Sequence, residues 1–124
     1  MSGGDAKLLG RWGEALVAED LRRRGVEILA AGYRCRFGEI DLIAADDKYL
    51  RFIEVKLRKS GAMVSGREAV DRRKQGRLRT TAELWLAEHP EEGRQPRFDV
   101  AEVEAPEGLA TKRPQICYIE DAFQ

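Results

Sequence analysis

The chain is poor in the residues that build disulfide frameworks and zinc sites. Its 124 residues include two cysteines, Cys35 and Cys117, and one histidine, His89. The cysteines lie far apart and form no C-x-x-C pair, so we expect reduced thiols and no disulfide framework or Cys/His zinc site. A catalytic triad built on His89 is also not expected, and we place this residue at the surface near the end of a helix.

The sequence also lacks a long apolar run. No stretch approaches the roughly 18 apolar residues that cross a membrane, and the first residues, MSGGDAKLLGRWGE, contain no basic segment followed by an apolar one. We therefore expect a cytoplasmic protein with no membrane partner. The length of 124 residues predicts one domain, residues 1–124, in which residues 1–8 are a candidate disordered N-terminus.

The net charge of zero hides an uneven distribution along the chain. Residues 51–79 contain 10 Lys and Arg against 3 Asp and Glu, whereas residues 80–124 contain 4 against 10. The basic third adjoins a charged hairpin and continues into the next helix, which indicates a surface for phosphates. The alternative is a solvated charged face that the acidic final third balances.

Two helices are predicted from the spacing of apolar residues. The first spans about residues 5–24 and ends at Gly25, a residue typical of helix C-caps. Glu14 lies on its apolar stripe, and this helix alone indicates a carboxylate at the edge of the surface. The second helix starts at one of two points, a capping box at residues 65–68 or Asp71.

Five strands are predicted from alternating apolar residues, with Gly32 as a bulge or bend in the first. Asp99 stands beside Arg97 in an alternating strand, so we expect it to be a buried hydrogen-bonding or ion-paired residue without a catalytic role. The order helix, three strands, helix, two strands predicts an α+β fold with helices packed on a mixed central sheet. The predicted strands are residues 26–37, 38–44, 49–57, 97–104 and 116–123.

The second and third strands form a hairpin that carries charges among apolar residues. Because side chains alternate between the two faces of a strand, Glu54 and Lys56 share a face, and an even-length loop adds Asp41 to it. A four-residue loop at 46–49 places Asp41 opposite Glu54, with side-chain roots roughly 5 Å apart. A two-residue loop at 46–47 places them diagonally, about 7–8 Å apart. A three-residue loop turns Asp41 to the other face.

Two like charges on a half-buried sheet face need compensation. One interpretation is an exposed ion-paired face, in which Lys56 neutralises Glu54 and a nearby arginine neutralises Asp41. The other is a site for Mg²⁺ or Mn²⁺, ions that prefer oxygen ligands such as two close carboxylates and the backbone carbonyl of Val55. The apolar residues that frame both strands favour the second interpretation, in which Lys56 stabilises charge on a phosphate.

Four segments, GEIDLIA, FIEVKLR, RFDV and DAF, resemble the uncharacterised bacterial YraN family of small predicted endonucleases. Asp41 followed by Glu54-Val55-Lys56 also resembles the wider PD-(D/E)xK nuclease superfamily, which includes archaeal Holliday-junction resolvases and restriction endonucleases. The similarity covers roughly residues 10–123. It implies a restriction-endonuclease-like αβββαβ core and metal-dependent hydrolysis of DNA phosphodiester bonds.

The resemblance implies roles for individual residues. Asp41 and Glu54 match the metal-binding acids, and Lys56 matches the catalytic lysine. Glu14, at the end of a G-x-x-G-E segment, matches the first-helix acid that completes the metal site in resolvase-like members. Gln75 matches a polar residue that some members place on the second helix.

We therefore expect a Mg²⁺- or Mn²⁺-dependent endonuclease-like protein that cuts DNA, either selecting branched structures or without selectivity, with RNA as an open alternative. A homodimer would suit a branched substrate. Two rival functions remain: a non-catalytic nucleic-acid-binding or assembly module on the same fold, and a structural protein with an ion-paired sheet face. The expected nucleic-acid contacts are Arg34, Arg36, Arg58, Lys59, Arg72, Arg73, Lys74, Gln75 and Arg77.

Overall fold

The computed structural model describes residues 3–59 and 70–124. These residues form two α-helices, one five-stranded sheet and a short 3₁₀ turn, in the predicted α+β order of a restriction-endonuclease-like core. The elements are α1 (Gly3–Arg23), β1 (Glu27–Cys35), β2 (Gly38–Ala45), β3 (Tyr49–Arg58), α2 (Arg72–Glu88), β4 (Gln95–Glu104), the 3₁₀ turn (Gly108–Ala110) and β5 (Gln115–Phe123).

Helix α1 starts earlier than the sequence predicted. It includes residues 3–8, which the sequence left as a candidate disordered segment, and it ends just before Gly25 as predicted. Val17 and Leu21 on its predicted apolar stripe are fully buried against the sheet, whereas Glu14 on the same stripe is half-buried. Among the described residues, no helix combines the length and apolar character needed to cross a membrane.

Helix α2 begins at the second of its two predicted start points. The Asp71 side chain caps it by accepting a hydrogen bond from the backbone nitrogen of Lys74 at 2.9 Å. The alternative capping box at 65–68 lies outside the described residues. His89 follows the last turn and stacks on Trp85 with ring centroids 3.8 Å apart, so the histidine packs against the helix end.

The sheet is mixed, with strands in the order β1-β2-β3-β4-β5. Only the β3–β4 pair is parallel, since the chain crosses over through α2 between these two strands. The two helices cover opposite faces. The α1 face buries Leu42, Ala44 and Ile53, and the α2 face buries Ile43 and Phe52, as the alternation along β2 and β3 predicted. Ile40 departs from it: alternation assigns this residue to the face of Leu42, but it packs in the same core as Ile43.

The β2–β3 register decides where the hairpin charges lie. Ala45 pairs with Leu50 and the ladder runs to the pair Leu42–Ile53, which is the register of the four-residue loop. Continuing this register by one residue places Asp41 opposite Glu54.

The position of the bulge in β1 differs from the predicted one at Gly32. Gly32 has a positive φ of 70°, a backbone conformation that favours glycine. The irregularity in the β1–β2 register lies instead between Ile28 and Ala30. The bulge is therefore three residues away from the glycine, close to the start of the strand.

Candidate active site

Asp41 lies at the point where β2 and β3 separate. The described ladder between the strands stops at Leu42–Ile53, and beyond it the Asp41 carboxylate takes the place of a backbone partner. Its Oδ2 accepts a hydrogen bond from the backbone nitrogen of Val55 at 2.8 Å. This bond fixes the carboxylate against β3, next to Glu54.

The two carboxylates, Asp41 and Glu54, repel each other in a poorly solvated position. Glu54 is only 7% exposed. Burial and the negative charge of Glu54 raise the pKa of Asp41 to about 8, against the opposing effect of the Val55 hydrogen bond. The neutral form of Asp41 is therefore favoured near neutral pH, which is unusual for an aspartate.

Helix α2 supplies the cation that pairs with Glu54. Lys74 Nζ donates to Glu54 Oε1 at 2.9 Å, and the lysine side chain is 36% exposed. Although burial opposes its charged form, the hydrogen bond to Glu54 and the charges of both carboxylates raise the pKa of Lys74. One ammonium group therefore faces two carboxylates.

Lys56 is close to this pair but does not neutralise it. Burial, followed by the charge of Lys74, lowers the pKa of Lys56. The ion-paired interpretation of the hairpin paired Glu54 with Lys56, and this pairing is wrong. Glu54 pairs with Lys74 of α2 and not with a lysine of its own strand. The nearby arginines are engaged elsewhere: Arg51 pairs with Asp46, and Arg58 lies 3.8 Å from Glu102.

Glu14 lies on α1, the helix that covers the other face of the sheet, and interacts with the site through its charge. Burial and the charges of Glu39 and Glu54 raise its pKa, and its own charge contributes to the raised pKa of Asp41. The described part of the chain nevertheless contains no set of three His, Cys, Asp or Glu side chains grouped to hold one metal ion. The role of Glu14 as a third metal ligand stays a prediction.

A cleft of about 500 Å³ opens above the carboxylates. Asp41, Glu54 and Lys74 lie in its wall. Of four further residues expected to contact nucleic acid, three line the cleft and one is buried away from it. Arg34, Arg36 and Arg77 line the cleft, with Arg34 3.1 Å from Glu39, whereas Gln75 is buried. The Gln75 amide donates to the Val70 carbonyl at 2.8 Å. The remaining expected contacts lie outside the cleft lining: Arg58 half-buried, Lys59, Arg72 and Arg73 exposed.

Comparison with known proteins identifies the family. A model of the "Uncharacterised protein family UPF0102" matches residues 13–103, which include Glu14, Asp41, Glu54 and Lys56. The chain belongs to this family. UPF0102 is the YraN family, so the resemblance seen in the sequence is confirmed.

Curated UPF0102 relatives match most of the chain. The UPF0102 protein of Nocardia farcinica is 43% identical over 120 residues, which is 97% of this chain and 92% of the relative. A UPF0102 protein of Frankia casuarinae is 44% identical over 115 residues, or 93% and 95% of the two chains. The UPF0102 protein of Caldicellulosiruptor bescii is 43% identical over 98 residues, or 78% and 82%.

The sequence did not predict which residues of α2 face the site in this UPF0102 chain. Lys74 and Arg77 line the cleft, and Thr81, one turn further on, contacts Cys35 at the base of the same cleft wall. Their spacing of three and four residues forms a stripe beside the apolar one. The sequence assigned Lys74 to a phosphate-binding surface. Helical periodicity could instead have placed it in the site, on one stripe with Arg77 and Thr81.

Proposed function

We propose that this UPF0102 protein is a metal-dependent nuclease that hydrolyses phosphodiester bonds of DNA. The observation that supports the proposal most is the convergence of Asp41 and Glu54, of which Glu54 alone has a hydrogen-bonded cation, Lys74, among the described residues. Strongly perturbed carboxylates in a cleft are a feature of functional sites. A divalent cation would relieve their repulsion more fully than one ammonium group does.

The donor set fits Mg²⁺ or Mn²⁺. These ions accept one or two carboxylates and complete their coordination with water and substrate phosphate, so a third protein acid is not required. Asp41 and Glu54 would hold the ion. The Val55 carbonyl would add an oxygen, since the N–H and C=O of one strand residue point to the same side and this N–H already meets Asp41. When bound, the ion would polarise the phosphate and supply an activated water.

Lys56 and Lys74 have different tasks in this proposal. Lys74 holds positive charge against Glu54 and keeps that carboxylate in place. Lys56, half-buried on the same strand as Glu54, presents its ammonium group to the negative charge that builds up on the phosphoryl oxygens in the transition state. Its lowered pKa also makes it a better proton donor than a solvated lysine.

The exposed cations around the cleft bind the rest of the strand. Arg34, Arg36 and Arg77 line the opening and can contact phosphates. Such contacts supply affinity and position without reading sequence, so binding should weaken steeply as salt is raised.

A cleavage assay with matched variants tests the proposal. Purified protein is incubated with end-labelled linear and four-way-junction DNA and Mg²⁺ or Mn²⁺, and the products are separated on denaturing gels. We expect Asp41→Asn and Lys56→Ala each to lower the cleavage rate by about 100-fold or more. Asp47→Asn, which removes an exposed carboxylate from the turn of the same hairpin, serves as the control and should cut like the wild type.

Each other result rejects the proposal. Cleavage that survives in Asp41→Asn and Lys56→Ala would come from a contaminant or another site. Salt-sensitive DNA binding without cutting would support the non-catalytic binding module instead. The absence of both binding and cutting would favour a structural role for the charged sheet face.

A further inference from the structure

Phe37 is an aromatic side chain that the fold leaves in solvent. It lies in the turn between β1 and β2 and is 38% exposed. Three large apolar side chains are exposed among the described residues, and of these Phe37 lines the cleft above Asp41 and Glu54, whereas Leu8 and Leu109 do not. A single exposed apolar side chain is ordinary on a protein surface, so a role for Phe37 is inferred from its place in the cleft and from the cations around it.

The turn that carries Phe37 is anchored to α2. The backbone nitrogen of Phe37 donates to Cys35 Sγ at 3.3 Å, and that sulfur lies 3.6 Å from Thr81 Oγ1. Gly38 has a φ of 155°, and a Cβ there would lie 3.3 Å from the same hydroxyl, so only glycine fits without a shift. The ring is therefore presented from a fixed turn.

Cations flank the exposed ring. The guanidinium group of Arg36 lies over one face of the Phe37 ring, with its carbon 4.7 Å from the ring centroid, which leaves the other face for a base. Arg34 and Arg77 line the same cleft. A planar aromatic group among phosphate-binding cations is the combination that single-stranded nucleic acids use, with bases stacked on rings and phosphates held by charge. A base inside a duplex is already stacked on both sides and cannot occupy such a position without leaving its neighbours.

We propose that Phe37 stacks an unpaired nucleobase next to the phosphodiester held at Asp41 and Glu54, so that the site prefers single-stranded or locally unpaired nucleic acid over intact duplex. This inference rests on the proposed function, because it assigns the substrate class of the same cleft. The ring supplies affinity for any base, since every base offers a planar face. Selectivity therefore follows strand pairing and not sequence.

Binding measurements without cleavage test the inference. Fluorescence anisotropy in EDTA, and again with Ca²⁺, gives dissociation constants for labelled single-stranded DNA, the same DNA as a duplex, and single-stranded RNA. We expect the wild type to bind the single strands more tightly than the duplex. Phe37→Ala should weaken single-strand binding about 10-fold and duplex binding less than about 2-fold. Phe37→Trp should restore single-strand binding.

Leu109→Ala is the matched control, because it removes an exposed apolar side chain that is 50% accessible and lies outside the cleft. It should leave every dissociation constant unchanged. Equal effects of Phe37→Ala on single strands and duplex, or no effect on either, would overturn the stacking role while nuclease function stands. A wild type that binds no nucleic acid under any condition would overturn the proposed function itself. If Phe37→Ala weakens binding of single-stranded DNA and single-stranded RNA to different extents, the stacking role is supported, and the larger loss shows which sugar the cleft accepts.

Discussion

Two carboxylate sites in the sheet differ in how their charge is balanced. Asp99 on β4 is 2% exposed and receives two hydrogen bonds from Arg97, at 2.8 and 3.0 Å. Its Oδ1 also accepts the backbone N–H of Asp121 at 2.9 Å. At the other site, Glu54 on β3 pairs with Lys74, whereas the partner of the Asp41 carboxylate on β2 among the described residues is the backbone nitrogen of Val55. Burial alone therefore does not distinguish the two sites, whereas the balance of charge does.

The comparison separates a structural carboxylate from a functional one. Asp99 fixes the backbone of Asp121, whose φ of 51° is left-handed, and so ties β4 to β5. A carboxylate that has all its partners has no capacity for a ligand. Lys74 pairs with Glu54 alone, so in metal-free protein Asp41 keeps its proton near neutral pH, and a divalent cation that displaced this proton would meet two carboxylates in the wall of the cleft.

Removing the charge of Asp99 should have the largest effect on stability. We expect Asp99→Asn to lower the free energy of unfolding by about 2–4 kcal/mol, because Arg97, whose side chain is 11% exposed, loses its buried carboxylate partner and among the described residues keeps the exposed Glu120. Urea unfolding followed by circular dichroism measures the change. Asp47→Asn in the exposed hairpin turn should stay within about 0.5 kcal/mol of the wild type. A loss below about 1 kcal/mol in Asp99→Asn would remove the contrast between the two sites.

The same substitution at Asp41 should have the opposite sign in metal-free protein. Because the pKa of Asp41 is raised to about 8 in the folded state, unfolding releases its proton, and stability falls as pH rises from about 4 to about 8. Asp41→Asn removes this penalty and should unfold at a higher temperature than the wild type at pH 8 in EDTA. The gain should shrink towards pH 4 and vanish below it, where the unfolded as well as the folded wild type carries the proton.

Divalent metal should make the wild type more stable than Asp41→Asn, the reverse of their order in EDTA. Mn²⁺ binds the ionised pair and should raise the melting temperature of the wild type, whereas Asp41→Asn should show little shift. Thermal unfolding at pH 5 and pH 8, with and without Mn²⁺, measures both effects. An Asp41→Asn protein less stable than the wild type in EDTA at pH 8 would show that the pair is balanced without metal.

The sequence predicted much of this arrangement. The alternation along β2 and β3 assigned Leu42 and Ile53 to one face and Phe52 to the other, because burial of one face fixes a strand's register. The sequence left the loop at two, three or four residues, and the observed four-residue loop is the one that places Asp41 opposite Glu54. These are local relations, which chain spacing determines.

Long-range relations were harder to predict. Lys74 is 20 residues from Glu54, and only the packing of α2 on the sheet brings them together. The turn at Phe37 is held by Thr81 in the same way, 46 residues from Cys35. Alternation and helical stripes show which residues share a face of one element, but not which faces of two elements meet.

Glu102 on β4 should give the smallest effect, because its carboxylate has fewer hydrogen-bond partners than the carboxylates of either site. It is 2% exposed, and its nearest cation, Arg58, is 3.8 Å from Oε1. Within the described residues neither of its carboxylate oxygens has a hydrogen-bond partner. Glu102→Gln removes a buried charge without breaking a formed hydrogen bond, so stability in urea should change by less than about 1 kcal/mol or rise. A loss above about 2 kcal/mol would place Glu102 with Asp99, as a carboxylate that the fold has fully paired.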